Sequence, residues 1–259
     1  MPTQRQHHWV ALSTLLTREI RRFIRIWPQT LLPPAITMTL YFVIFGNLIG
    51  QRIGEMSGFA YIEYIAPGII MMAVINNAYA NVASSFFSAK FQNHIEELLI
   101  APIPNHLILA GYVMGGVARG LLVGIIVTIV ALFFTKLHVQ HLFITLSMVI
   151  LSAVLFSLGG FINAIYGKSF DQIAIIPTFI LTPLTYLGGI FYSIDLLPEF
   201  WQQASLFNPI LYMVNAFRYG ILGVSDIPVG LAFGVIMLFI VGLASFALYL
   251  LNRGTGLRH

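Results

Sequence analysis

Residues 90–104 read KFQNHIEELLIAPIP, the most polar interior stretch of a chain that is otherwise mostly apolar. Apolar runs of more than 20 residues flank it on both sides. A spanning helix needs roughly 20 mainly apolar residues, so this stretch reads as the turn of a long membrane hairpin. Phe91, Ile95, Leu98 and Leu99 recur at helical spacing and form one face, with Asn93, His94, Glu96 and Glu97 on the remaining surface. Pro102 and Pro104 then stop the helix, because proline removes backbone donors and disfavours helix in the residue before it. A plain turn needs none of this. The spacing predicts a short amphipathic helix lying across the membrane surface, joined to the ends of two long spans.

Composition agrees with a membrane protein. Of the 259 residues 58% are hydrophobic and 8% charged, whereas soluble domains carry about 25% charged residues. Six segments qualify as spans, at about 29–49, 62–87, 106–134, 142–166, 172–194 and 228–251. They use almost all of the chain and leave no room for a soluble domain. An even number places both ends on one side. With the termini cytoplasmic, that side holds Arg5, Arg18, Arg21, Arg22, Arg25, Lys90, Lys168, Arg253 and Arg258, against Arg52, Lys136 and Arg218 opposite. Cytoplasmic loops carry the excess of Lys and Arg, so both termini and residues 90–104 are expected in the cytoplasm. There two adjacent carboxylates would face an anionic leaflet, which is unfavourable. A basic or polar protein surface is the better neighbour.

Residues 1–28 lack the uncharged core and small-residue cleavage site of a signal peptide. On a helical wheel Trp9, Leu12, Leu16, Ile20, Phe23 and Trp27 fall within an arc of roughly 80°. Arg18, Arg21, Arg22 and Arg25 lie on the opposite side, the pattern of an amphipathic helix in the membrane interface whose arginines face headgroups or a partner. The plainer reading is a basic anchor that orients the first span. Between the last two spans, SIDLLPEFWQQASLFNPILYMVNAFRYGILGVSDIP is too apolar for a free loop and too interrupted for a span. Pro198 and Pro209 can each open a short helix. These two helices either re-enter the outer leaflet or lie on it as an aromatic belt. The resulting division is an interface helix over 1–28, a transmembrane domain over 29–251 and a cytoplasmic tail over 252–259.

Little in the chain suggests catalysis. The GKS at 167–169 resembles the end of a phosphate-binding loop, but Ile162 stands where the motif requires glycine and the segment ends a membrane helix. Cysteine is absent, and the seven histidines lie in tails and loops without acids at metal-ligand spacing. No Asp–Glu–His series crosses a span, which argues against an ion-coupled carrier. The one deep charge is Arg119, about one turn inside the membrane boundary, where snorkelling or pairing with a neighbouring helix is favoured over substrate contact. Its span carries Gly111, Gly115, Gly116, Gly120 and Gly124 in two interleaved small-xxx-small rows, which suit close packing within one subunit. Asn76, Asn77 and Asn81 put amides in the second span, as interhelical hydrogen bonds or as the lining of a path. Tyr186, Tyr192 and Arg218 are candidates for the same two roles. Aromatics there would also suit an interfacial belt.

An arginine-bearing interface helix, YIEYIAPGI opening the second span, IEELLIAPIP in the first cytoplasmic loop and FNPILYMVNAFRYGIL before the last span together resemble the ABC-2 type permeases of ATP-binding cassette exporters. The resemblance extends over nearly the whole chain, through GGVARGL, VLFSLGG and PTFILTPLTYLGGIFYS. It implies an all-α permease that forms a homodimer in a bacterial inner membrane and pairs with two copies of a separate ABC ATPase subunit. ATP and Mg would bind that partner and no cofactor this chain. Residues 93–101 would be the coupling helix, and the turn over 167–172 a smaller second contact. ATPase contacts are then expected from Asn93, His94, Glu96 and Glu97, from Arg18, Arg22 and Arg25 of the interface helix, and from Lys168 and Asp171. The helices after Pro198 and Pro209 would cap the pathway, and the first, second and fifth spans would line the dimer seam. A hydrophobic or amphipathic substrate would be exported. Membrane lipids, and not nucleic acid, complete the expected surroundings. The competing classes are an ATP-independent carrier or channel and a structural membrane subunit.

Overall fold

Prolines mark where helical segments begin or change. Pro28 and Pro209 stand in first turns, and Pro104, Pro198 and Pro228 precede helices. Pro33, Pro177 and Pro183 fall where one helical piece passes into the next. The computed structural model describes residues 4–95, 98, 103–254 and 256. An N-terminal helix, α1 (Gln4–Arg25), is followed after Ile26 by α2 (Trp27–Ile53), with Pro28 and Pro33 in the first turns of its two opening pieces. A two-residue antiparallel hairpin, β1 (Glu55–Met56) and β2 (Phe59–Ala60), leads into α3 (Tyr61–Phe91). Then come α4 (Asn105–Phe134) and α5 (Leu142–Tyr166). The next helical run, α6, is built of Phe170–Ile176, a π-helical Pro177–Leu181 and Thr182–Tyr186. Two short helices follow, α7 (Glu199–Leu206) and α8 (Pro209–Leu222), before α9 (Val229–Arg253).

Among the described residues five helices, α2, α3, α4, α5 and α9, are long and apolar enough to cross a membrane. The segment expected at 172–194 differs. Its helix occupies Phe170–Tyr186, in pieces of 7, 5 and 5 residues, and the remainder turns back. Gly188 and Gly189 break it, with Gly189 at φ 67°, where a side chain would be strained. Ile190 and Phe191 fold into the core, and Gly68 of α3 admits the Ile190 backbone. An apolar run buried in protein and one buried in lipid have the same composition, which is why the sequence overextends this span.

α3 is the axis of the bundle. Of its most apolar window 89% is buried inside the chain, against 17% for α2 and α9. The glycines of α4 explain the close fit. Gly116, Gly120 and Gly124 lie against Val82, Ala78 and Val74 of α3, while Gly111 and Gly115 receive Leu15 and Glu19 of α1. The two small-residue rows therefore serve two different neighbours within one subunit. Phe86, Phe161 and Tyr112 close the core at the end nearest α1.

Candidate functional site

The polar side chains of the bundle converge where α1 lies over α3 and α4. Arg18 Nη2 donates to the Tyr112 hydroxyl at 2.8 Å. Arg22 Nη2 donates to the Asn81 side-chain oxygen at 2.8 Å and its carbonyl at 3.0 Å. Between them Glu19 is 1% exposed, 3.7 Å from Arg18 and 3.6 Å from Arg22. Two turns further along α4 from Tyr112, Arg119 Nη2 donates to Asn77 Oδ1 at 3.1 Å and to the Thr30 carbonyl at 3.3 Å. Asn77 returns its amide to Ala73 of its own helix at 2.9 Å. A charge taken out of water must find partners or carry a large desolvation cost, and this seam supplies them for three arginines.

The wheel of α1 is thereby corrected. Its bundle-facing residues are Leu15, Glu19 and Phe23, between the apolar and basic arcs, so Phe23 is buried rather than membrane-facing. Arg18 and Arg22 turn inward to Tyr112 and Asn81, because Gly111 and Gly115 let α1 approach closely enough for them to reach. Arg21 and Arg25 remain on the open side, where a cavity of about 730 Å³ is lined by Ser13, Thr14, Thr17, Arg18, Arg21, Arg22, Arg25 and Ile26. Asn77, Asn81 and Arg119 serve interhelical hydrogen bonds. Asn76 is half-buried on another side of α3, with no hydrogen bond among the described residues.

At the same end of the molecule α3 stops at Phe91, and Asn93 takes a left-handed conformation at φ 60°. Asn tolerates that region better than most residues. Asn93 and His94 are exposed, Ile95 is buried, and residues 94, 95 and 98 are helical. Phe91 belongs to the last turn of α3. Glu96 and Glu97 lie outside the described residues, as does Leu99. Lys90 Nζ donates to the Ile165 and Gly167 carbonyls, the latter at 2.9 Å, and ties this segment to the turn that carries the exposed Lys168 and Asp171. A cavity of about 680 Å³ between the two is lined by Phe87, Lys90, Phe91, Asn93, Tyr166 and Lys168, among others.

The opposite end is locked by Arg218, counted from sequence among the loop charges of that side. It is 0% exposed. Its guanidinium lies 4.0 Å from the centre of the Tyr64 ring and donates to the carbonyls of Gly189 (2.6 Å) and Tyr64 (3.2 Å). It is a packing residue that fixes α8 to α3 and to the 187–193 turn. Nearby, Tyr41 and Tyr186 share a hydrogen bond of 3.0 Å between α2 and α6, and Tyr192 donates to the Tyr186 carbonyl at 3.0 Å. Burial pushes the Tyr192 phenol up. Sequence reasoning missed Glu19, Tyr112 and Tyr64. A lone acid flanked by arginines on a basic helix was the available signal for Glu19.

No three His, Asp or Glu side chains converge as metal ligands among the described residues. What the geometry defines is a polytopic α-helical membrane protein whose polar groups fasten helices and build surfaces at its ends. A sequence profile of ABC-2 type transporters matches residues 10–222, from α1 through α8. The chain belongs to the ABC-2 type transporter family. It is 61% identical over 97% of its length to the inner membrane transport permease YadH of Escherichia coli K12, covering 98% of that protein. It is also 24% identical over 78% of both chains to nodulation protein J of Rhizobium leguminosarum bv. viciae.

Proposed function

We propose that this chain is the permease subunit of an ABC exporter with six spans, α6 being the fifth. It moves a hydrophobic or amphipathic molecule, such as a drug, a lipid or a glycolipid-like compound, out of the cytoplasm or the inner leaflet. The observation that carries this reading is the ABC-2 match over residues 10–222, which takes in α1, the 90–104 turn and the α7–α8 pair together. The chain is not catalytic alone. Energy comes from ATP and Mg on a separate ABC ATPase of a YadG-like kind, two copies of which serve a permease homodimer. The protein sits in a bacterial inner membrane with both termini cytoplasmic, as the distribution of Lys and Arg and the name of its YadH relative support.

Docking falls to the composite surface at one end of the bundle. The Lys90 bond to the Gly167 carbonyl joins the end of α3 to the 167–171 turn, so a push on either reaches α3, α5 and α6. Asn93, His94, Glu96 and Glu97 form the coupling helix contact, with Lys168 and Asp171 beside it. Arg18 and Arg22 act behind this surface and hold α1 to the bundle. Binding of ATP closes the ATPase dimer, the two coupling helices move together, and the seam between permease copies rearranges.

The test is the double variant Glu96→Gln with Glu97→Gln, co-expressed with the ATPase. Permease-stimulated ATP hydrolysis is expected to be lost while membrane insertion is unchanged. Stimulation at the wild-type level in that variant, or substrate transport by liposomes that contain this chain alone, would overturn the proposal.

A further inference from the structure

We infer that the basic cavity beside α1 binds the phosphate of an anionic lipid from the leaflet in which α1 lies. Four guanidinium groups line it, with Ser13, Thr14 and Thr17 between them, and no carboxylate does so among the described residues. The one acid nearby, Glu19, lies behind this wall and is buried against α4. Two arginines are committed, Arg18 to Tyr112 and Arg22 to Asn81. Arg21 and Arg25 are exposed and carry no hydrogen bond or ion pair among the described residues. Arg22 Nε faces Glu19 Oε2 at 3.6 Å behind the wall, so only the Nη side of that guanidinium is toward the cavity rim. The site is thus a rigid wall of two tethered cations with two free ones in front. Arginine presents a planar fork that suits a phosphate oxygen pair, and hydroxyl donors complete such a cradle.

The surroundings choose a lipid over the surface of a soluble protein. Ile26 lines the cavity itself, and Val10, Ile24 and Trp27 are exposed large apolar side chains on or next to the same helix. Left against water these would cost free energy roughly in proportion to their area. Under acyl chains they cost nothing, and α2, which is long and apolar enough to cross a membrane, begins immediately after Ile26. A phosphate among the arginines with its chains along Ile24, Ile26 and Trp27 satisfies both halves of the surface. A free phosphate satisfies only one.

The chain, purified in mild detergent, is incubated with phosphatidylglycerol, phosphatidylcholine or inorganic phosphate, and retained molecules are counted by native mass spectrometry. Phosphatidylglycerol is expected to be retained over phosphatidylcholine. Arg21→Gln with Arg25→Gln weakens that retention roughly thirtyfold, the combined effect of two basic groups at an anionic surface. Arg52→Gln with Lys136→Gln, which removes two exposed charges from the other end of the helices, leaves it unchanged. Equal retention by the Arg21/Arg25 variant and the wild type would overturn the inference, as would an equal loss in the Arg52/Lys136 variant. Displacement of the lipid by equimolar inorganic phosphate, or loss of ATPase capture in place of lipid retention, would reassign the cavity.

Discussion

A methyl group added at Gly115 would stand 2.6 Å from Glu19 Cβ and 3.0 Å from its Cγ. Real contacts at that distance do not persist, so α1 must shift, and with it the bonds of Arg18 to Tyr112 and Arg22 to Asn81. Overpacking of this kind typically costs about 1–3 kcal/mol. Gly115→Ala is therefore expected to lower the thermal unfolding midpoint in detergent and to speed tryptic cleavage after Arg18 and Arg21. Gly234→Ala, on a helix where an added Cβ meets nothing within 4 Å, is the control and should leave both unchanged or slightly improved. Arg218 makes a related point. A buried guanidinium whose partners are carbonyls and a ring, not an acid, stays where it is because its surroundings supply dipoles in place of water.

At the scale of elements, α1 shows both what a sequence reveals and what it hides. Its amphipathic character follows from a wheel, as does the existence of α3, α4, α5 and α9, whose apolar runs leave little choice in lipid. The face that docks does not follow, since close approach is decided by glycines on another helix, Gly111 against Leu15 and Gly115 against Glu19, each pair 96 residues apart. The same holds for 187–193, where burial under Gly68 makes an apolar turn look like the end of a span. Arg119 was legible in kind, as a charge needing a partner, but its partners on α3 and in the first turns of α2 were not. If Arg119 serves to bind helices, Arg119→Met and Asn77→Leu must be energetically coupled. A double-mutant cycle on unfolding is expected to give about 0.6 kcal/mol, with about 1.7 as the upper range for such bonds in membranes. Additive single effects would free Arg119 for another role.

For the whole molecule the telling feature is the incomplete burial of α3. It is enclosed on nearly every side, yet Ala80 is exposed and Asn76 and Ser84 are half-exposed, at a spacing of four residues along one edge. Ser84 satisfies itself by donating to the Ala80 carbonyl at 2.7 Å. Asn76 has no such bond among the described residues, and an amide facing acyl chains is costly. Small side chains along an edge let a second backbone come close, and in a two-fold dimer a residue near the axis meets its own copy. The proposed homodimer thus predicts that Ala80 lies at the seam. The chain has no cysteine, so Ala80→Cys introduces a single thiol. A short bifunctional thiol reagent applied to membranes is expected to give covalent dimers from this variant. Leu238→Cys, on the exposed face of α9, should give none, because that face is apolar throughout and needs only lipid. Dimers from Leu238→Cys and none from Ala80→Cys would move the seam to α9 and leave the edge of α3 facing a path within one copy.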